Sequence, residues 1–177
     1  MQHRIHSIVT GLKIPEDKRI ICITGSVWTG SRRAPRHLLV KEGYVRPKWF
    51  TTAYRITDAE YRYISETDFH LARAEDGVFV HITHGGDFVG IMKQAFETAL
   101  AASRRGVLVV GPQELAAQVA AAIPRALVFT LKETPMQLSP HLTGAEQRGQ
   151  LHRLDVDVLA PGAWAEVHRS MVEILDR

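Results

Sequence analysis

The sequence predicts an α/β fold, a mostly parallel sheet flanked by helices. Three observations predict it. Short apolar runs bounded by turn residues recur along the chain and read as buried strands. Helical patterns separate these runs, and strands alternating with helices build parallel sheets. The chain of 177 residues, 45% hydrophobic and 23% charged, is long enough for one domain with a sizeable core.

The strand runs are RIICIT (19–24), GVFVHIT (77–83), GVLVV (106–110), ALVFTL (126–131) and DVDVLA (155–160). The helical patterns cover 32–43, 64–76, 90–106, 115–124 and 161–177. Ser65 followed by Asp68 resembles a capping pair at the start of the second helix. Arg104, Arg105 and Gly106 suit a helix C-terminus. The Ala-rich helix ends at Pro124, and Pro161 suits a first helical turn. Ligands of open parallel sheets sit at the carboxyl ends of the strands. The turn after strand 19–24 is therefore a prime position.

Charge is uneven. Residues 1–62 hold 12 Lys and Arg against 5 Asp and Glu, while residues 63–177 hold 10 against 14. Such a basic third attracts phosphates or nucleic acid, or is a solvated surface. The single cysteine, Cys22, excludes an internal disulfide and a cysteine-based zinc site. Inside an apolar strand it reads as core. No apolar stretch approaches the roughly 20 residues that span a bilayer. The N-terminus carries no apolar core with a cleavage site. The expected location is cytoplasmic, without a membrane.

The segment after the first strand carries most of the chemistry. Gly25, Ser26, Trp28, Thr29, Gly30 and Ser31 form a glycine-containing loop between a strand and a helix. Small residues there let backbone N–H groups converge on phosphate, and the following helix N-terminus favours anions. A complete phosphate loop would place Lys and then Ser or Thr after Gly30, to bridge the outer phosphates and hold magnesium. Here Ser31 and Arg32 stand in those places, and Trp28 adds bulk. Arg32, Arg33 and Arg36 offer replacement positive charge with forked geometry. Two glycines alone also suit an ordinary strand-to-helix turn, so both readings stand at this point. Further along, HITHGGD supplies His81, His84 and Asp87. On a strand His81 and His84 point to opposite faces. A bend at Gly85 would bring His84 towards Asp87, as a metal site or general base requires. The plainer reading is a histidine pair on a partly exposed hairpin, and no metal is assigned. His37 reads as a half-buried helix residue. Asp155 and Asp157 mark the solvent side of an edge strand.

The chain from 49 onward resembles guanylate kinases. Thr51 and Thr52 match a paired threonine, Tyr61, Tyr63, Ile64 and Ser65 a tyrosine–aromatic–aliphatic–serine pattern, and Phe69 a closing phenylalanine. Gly86, Phe88 and Gly90 match a hairpin turn, and Gln113 a glutamine after the next strand. The chain is also similar to the related ribose bisphosphate phosphokinases. The resemblance spans about residues 19–175. It implies a three-layer P-loop kinase-like fold in one domain over 1–177. The core would be about 19–48 and 104–177, with a small inserted acceptor-binding subdomain at about 49–90 and a shortened lid.

The resemblance also implies sites. Gly25 to Ser31 would cradle phosphate, and Arg32, Arg33 and Arg148 would be catalytic, with Arg148 and Arg153 left from an arginine-rich lid. Thr51, Arg55, Tyr61, His81, His84 and Asp87 would line the acceptor site. The guanine-reading glutamate falls at Val80, the second acceptor tyrosine at Val89, a serine at Ile91, and acidic positions at Val109 and Gly111. A valine offers no hydrogen bond to a base edge, and a buried unpaired donor costs about 1–3 kcal/mol. Guanine is therefore disfavoured. The expected function is a divergent kinase acting with ATP and Mg²⁺ on a non-guanylate phosphorylated small molecule. The alternative is an inactive kinase fold, without cofactor, that binds a phosphorylated ligand, a nucleotide or a protein partner. A nucleic-acid-binding accessory is the least favoured reading, and a homodimer is compatible with each.

Overall fold

The computed structural model describes residues 11–25, 40–56, 58–132, 139–155 and 161–177. Its centre is β1 (Arg19–Gly25), whose residues Ile20 to Thr24 are all buried. Alternation along the strand divides them between two cores. Ile20 and Cys22 join one hydrophobic cluster, and Ile21 and Ile23 join another on the opposite face. Each isoleucine buried in this way contributes about 1.5–3 kcal/mol. Being apolar on both faces, the strand must be covered twice.

Four further strands complete this sheet: β2 (Tyr44–Val45), β7 (Gly106–Val110), β8 (Leu127–Lys132) and β9 (Leu151–Asp155). They run parallel in the order β2-β7-β1-β8-β9. A second, four-stranded sheet holds β3 (Trp49–Thr51), β4 (Tyr61–Tyr63), β5 (Val78–His84) and β6 (Asp87–Met92), in the order β4-β3-β6-β5. The helices are α1 (Glu66–Ala74), α2 (Lys93–Ala102), α3 (Gln113–Ala122), α4 (Thr143–Gln147) and α5 (Ala163–Leu175), with a 3₁₀ turn over Pro140–Leu142.

Helices α2 and α3 cover one face of the parallel sheet through Phe96, Ala99, Leu100, Leu115, Ala116, Val119 and Ala120. Helix α5 covers the other with Ala163, Val167, Met171 and Leu175, an i, i+4 stripe. Helix and strand ends are tied by long-range polar contacts. The Lys18 ammonium donates to Leu100 O and Ser103 O, where α2 ends, so a cation meets the carbonyl end of the helix. Ser65 caps α1: the Asp68 N–H donates to Ser65 Oγ (3.0 Å), and Ser65 Oγ donates to Asp68 Oδ2 (2.7 Å).

The α/β architecture with a mostly parallel, helix-flanked sheet is as expected, and strands 19–24, 106–110 and 126–131 fall where their apolar runs are. Other details differ. Residues 77–83 do form a strand, but it belongs to the second, mainly antiparallel sheet. The helix expected from residue 90 starts at Lys93, because Gly90 to Met92 finish β6. Gly90 fits there because a Cβ would lie 2.1 Å from Val80 O. Gly106 opens β7 instead of ending a helix, and its Cβ would lie 1.8 Å from Arg19 O. Pro161 precedes the N-cap Gly162 instead of entering the first turn of α5. Among the described residues the last strand is β9 at 151–155, a run that reads as polar because β9 is an edge. Its His152 packs on Phe129 at 5.4 Å between ring centroids. Residues 156–160 lie outside the described residues, as do Asp157, His37 and most of the helix expected at 32–43.

Gln150 joins three segments of this core. Its Nε2 donates to Ala120 O (3.0 Å), Ile123 O (3.0 Å) and Ala126 O (3.1 Å), so it closes the end of α3 and the turn into β8. Arg148 Nε donates to Gln150 Oε1 (2.7 Å) and fixes the amide. Gln150 is 3% exposed, so water cannot replace it. Gln150→Ala is expected to lower stability by about 1–3 kcal/mol, read as a lower urea midpoint with an unchanged denaturant slope.

Candidate functional site

The order of the parallel sheet sets the position of the site. From β1 the chain passes to one side of the sheet, to β2 and back to β7, and from β8 it passes to the other, to β9. The connections diverge between β1 and β8, and open parallel sheets bind ligands at such a point, outside the carboxyl ends of the strands. Gly25 and Leu131 are register partners there, preceded by the pair Thr24 and Thr130.

The second sheet approaches the same edge. The Trp49 indole rests on Gly111, just past the end of β7: a Cβ on Gly111 would lie 2.8 Å from indole Cη2. Gly111 N–H still donates to Ile23 O (3.1 Å), which holds this backbone against β1. Tyr61 packs against Trp49 with ring centroids 6.0 Å apart. Cross-strand pairing puts Tyr61, Trp49, Ile91 and Val80 in one row, and Tyr63, Thr51, Val89 and Ile82 in the next. The face turned to the core is thus mainly apolar and aromatic. The opposite face packs Phe50, Phe88 and His81 against Phe69 of α1, with Phe69 and Phe88 stacked at 4.2 Å.

Thr51 is buried, and its Oγ1 accepts from Ala53 N–H (3.1 Å). Thr52 Oγ1 donates to Asp87 Oδ1 (3.1 Å) and accepts from Phe88 N–H (2.9 Å). Gly85 and Gly86 have φ of +60° and +92°, the turn that a two-residue hairpin needs, and they set His84 opposite Asp87. His84 is exposed, and the contact that holds Asp87 comes from Thr52. His81 is half-buried, and its backbone is gripped by a helix side chain. Gln118 Oε1 accepts from His81 N–H (3.1 Å), and Gln118 Nε2 donates to His81 O (2.6 Å). Burial first, and then the charge of Arg73, hold the His81 imidazole below its ordinary pKa, against an opposing pull from Glu114.

Arg55 and Arg148 are turned to neighbours. Arg55 Nε donates to Tyr54 OH (2.8 Å) on an exposed loop, and Arg148 is bound to Gln150. The structure therefore brings Thr51, Tyr61, His81, His84 and Asp87 onto one small sheet, His81 on the face opposite the others of its strands, and leaves Arg55 and Arg148 apart. Ser26, Trp28, Thr29, Gly30, Ser31, Arg32 and Arg33 lie outside the described residues. Cys22 is fully buried, and burial pushes its thiol pKa far up, so it is core and not a nucleophile. Sequence reasoning named Thr52 only as one of a paired threonine and gave no role in this site to Trp49, Gln118, Thr24 or Thr130. A polar residue inside an otherwise apolar run was the available signal for the last two.

At the carboxyl edge the described strand ends differ in what they offer a ligand. Gly25 ends β1 at the divergence point, as a phosphate loop requires. Mg²⁺ asks for carboxylate or hydroxyl oxygens. The end of β7 offers Val109, Val110 and Gly111, with an indole against the glycine. Among the described residues no group of three or more His, Cys, Asp or Glu is placed to hold a metal ion. No helix of the described residues is long and apolar enough to cross a membrane.

No protein-family model matches the sequence, and no curated protein matches it. Among solved structures, the guanylate kinase from Anaplasma phagocytophilum superimposes with a TM-score of 0.59 at 14% identity, covering 92% of this chain and 87% of that one. This chain has a P-loop kinase-like fold. A gluconokinase from Sinorhizobium meliloti 1021 also matches, with a TM-score of 0.36 at 12% identity over 89% of this chain and 98% of that one. At such identities the likeness concerns the fold.

His81 gives this site a pH signature. Its pKa is lowered in the folded chain, so the unfolded chain binds the proton more tightly. The stabilising contribution is complete above the unfolded value near 6.5 and is lost as pH falls through the lowered folded value. The urea midpoint is expected to fall between pH 7 and pH 5, and His81→Phe, which suits the Phe69–Phe88 cluster, should reduce that fall.

Proposed function

We propose that this chain binds a phosphorylated small molecule at the carboxyl edge of its parallel sheet, and that it works as a ligand-binding protein on a kinase-like fold. The observation that carries this reading is the divergence point itself, where Gly25 ends the central strand between β7 and β8. In sequence Arg32, Arg33 and Arg36 follow, in a basic third of the chain, and supply charge that a phosphoryl group needs. The small sheet offers Tyr61, Tyr63, Ile82 and Val89, none of them fully buried, along one face, a surface suited to an apolar or ring-shaped portion of the ligand and unsuited to the edge of guanine.

The valines and glycine at the end of β7 support binding without phosphoryl transfer, because a metal held by the protein neutralises charge in that reaction. One observation favours a second reading, a divergent kinase that phosphorylates a non-guanylate acceptor. The small sheet keeps a buried Thr51 and a Thr52–Asp87 hydrogen bond beside the same edge, which is the arrangement an acceptor hydroxyl would meet. In that reading ATP and Mg²⁺ are the cofactors, and the chemistry they supply is transfer of the terminal phosphoryl group.

Calorimetric titration with ATP separates the two. The binding reading expects ATP or inorganic phosphate to bind equally with and without Mg²⁺, with no turnover. Affinity that requires Mg²⁺, together with ADP release in the presence of a sugar or nucleoside phosphate, would establish the kinase reading instead. Arg32→Ala is expected to weaken phosphate-ligand binding tenfold or more, since a charge-assisted hydrogen bond contributes about 1.5–3 kcal/mol. Unchanged affinity would remove Arg32 from the site.

A further inference from the structure

Among the described residues, four buried side-chain atoms have no hydrogen-bond partner: Thr24 Oγ1, Thr130 Oγ1, Tyr44 OH and His168 Nε2. Two of these stand near charged groups at the opposite end of the sheet. The Arg105 guanidinium lies 6.0 Å over the Tyr44 ring, and His168 Nε2 is 3.7 Å from Glu42 Oε1. The two threonines are different. They are register partners on adjacent parallel strands, one residue before Gly25 and Leu131. They are 1% and 5% exposed, and their positions along β1 and β8 put both side chains on the face of Cys22 and Val128.

That face is covered by α3, whose Leu115 and Ala116 belong to the same cluster. Helix α3 follows β7 directly, so its first turn lies at the same carboxyl edge. Pro112 is its N-cap and supplies no side-chain cap. A ten-residue helix presents a partial positive charge at this end. The first-turn carboxylate, Glu114, is exposed and acts electrostatically on His81 of the second sheet. The start of α3, where Pro112 gives no side-chain cap, and two unpartnered hydroxyls therefore lie at one edge and on one face of the sheet. Nothing in the apolar core accounts for the hydroxyls, since valine would fill either position without an unmet hydrogen bond.

We infer that Thr24 and Thr130 form the floor of a phosphoryl-binding site, completed by the N-terminus of α3. Neighbouring strands lie about 4.8 Å apart. One oxygen atom between them can thus accept a hydrogen bond of about 2.8 Å from each hydroxyl. A phosphoryl oxygen suits this position, because both hydroxyls donate and the helix end favours negative charge. The inference rests on the proposed binding of a phosphorylated ligand and says which residues of the sheet take the phosphoryl group.

The test uses the full chain with inorganic phosphate and ATP as probes, in calorimetric titrations and thermal unfolding. Thr24→Val and Thr130→Val keep shape and remove the hydroxyl. Each is expected to weaken binding about tenfold, with a melting temperature equal to or above that of the parent chain. Thr24→Ser and Thr130→Ser keep a donor and should retain affinity within about twofold. Val variants that bind as tightly as the parent chain would overturn the inference. So would a fall in melting temperature with affinity kept, which would mean that the hydroxyls have partners inside the fold. If the parent chain binds while Arg32→Ala does not, and both Val variants bind normally, the proposed function stands and this inference alone fails. A parent chain that binds neither probe at millimolar concentration overturns both.

Discussion

The contact between Trp49 and Gly111 is the constraint on which the arrangement depends. Gly111 is held against β1 by its N–H bond to Ile23 O, so the indole rests on backbone that belongs to the central sheet. Any side chain at 111 would push it away. Trp49 is the first residue of β3, and β3 sits between β4 and β6, so the seat of one ring sets the position of both neighbours. The Arg46–Glu60 fork, with bonds of 2.8 and 3.0 Å, fixes the loop that brings β4 alongside. The same contact has a chemical result. Indole lies at the strand end where the guanylate kinase resemblance implies an acidic residue, so the packing of the second sheet leaves no room for a longer side chain at Gly111.

The central strands were legible because full burial on two faces leaves a plain mark: a mainly apolar run rich in Ile, Val and Leu. β1, β7 and β8 have that mark. The small sheet does not. β3 and β4 have three residues each, too few to show alternation, and β6 was hidden because its apolar residues merge with those of α2. β9 was displaced by a similar cause. As an edge it needs only one partner strand and carries His152, Arg153 and Asp155, which do not read as buried.

The candidate site was legible in outline and not in detail. Gly25 at the end of a buried strand pointed to the carboxyl edge of the sheet, where the connections diverge. The hairpin at Gly85 and Gly86 set His84 opposite Asp87 as spacing suggested. What the sequence could not show is where long side chains go. Arg55 lies over the adjacent Tyr54 and Arg148 holds Gln150 two residues on, and both choices depend on local loop shape. Conversely Gln118 carries no motif and the paired-threonine match gave Thr52 no partner, yet they hold His81 and Asp87 in position.

The grip of Gln118 on His81 has a consequence for how this chain behaves among copies of itself. β5 is an outer strand of the small sheet, and an outer strand offers unpaired N–H and C=O groups to any extended peptide. At His81 both groups are already engaged by one side-chain amide, which imitates the backbone of an absent fifth strand. The opposite border, β4, is only three residues long and carries the exposed Arg62. Short length and charge discourage pairing there. Among the described residues, pairing of a further strand is thus opposed by a helix side chain on one border and by brevity on the other.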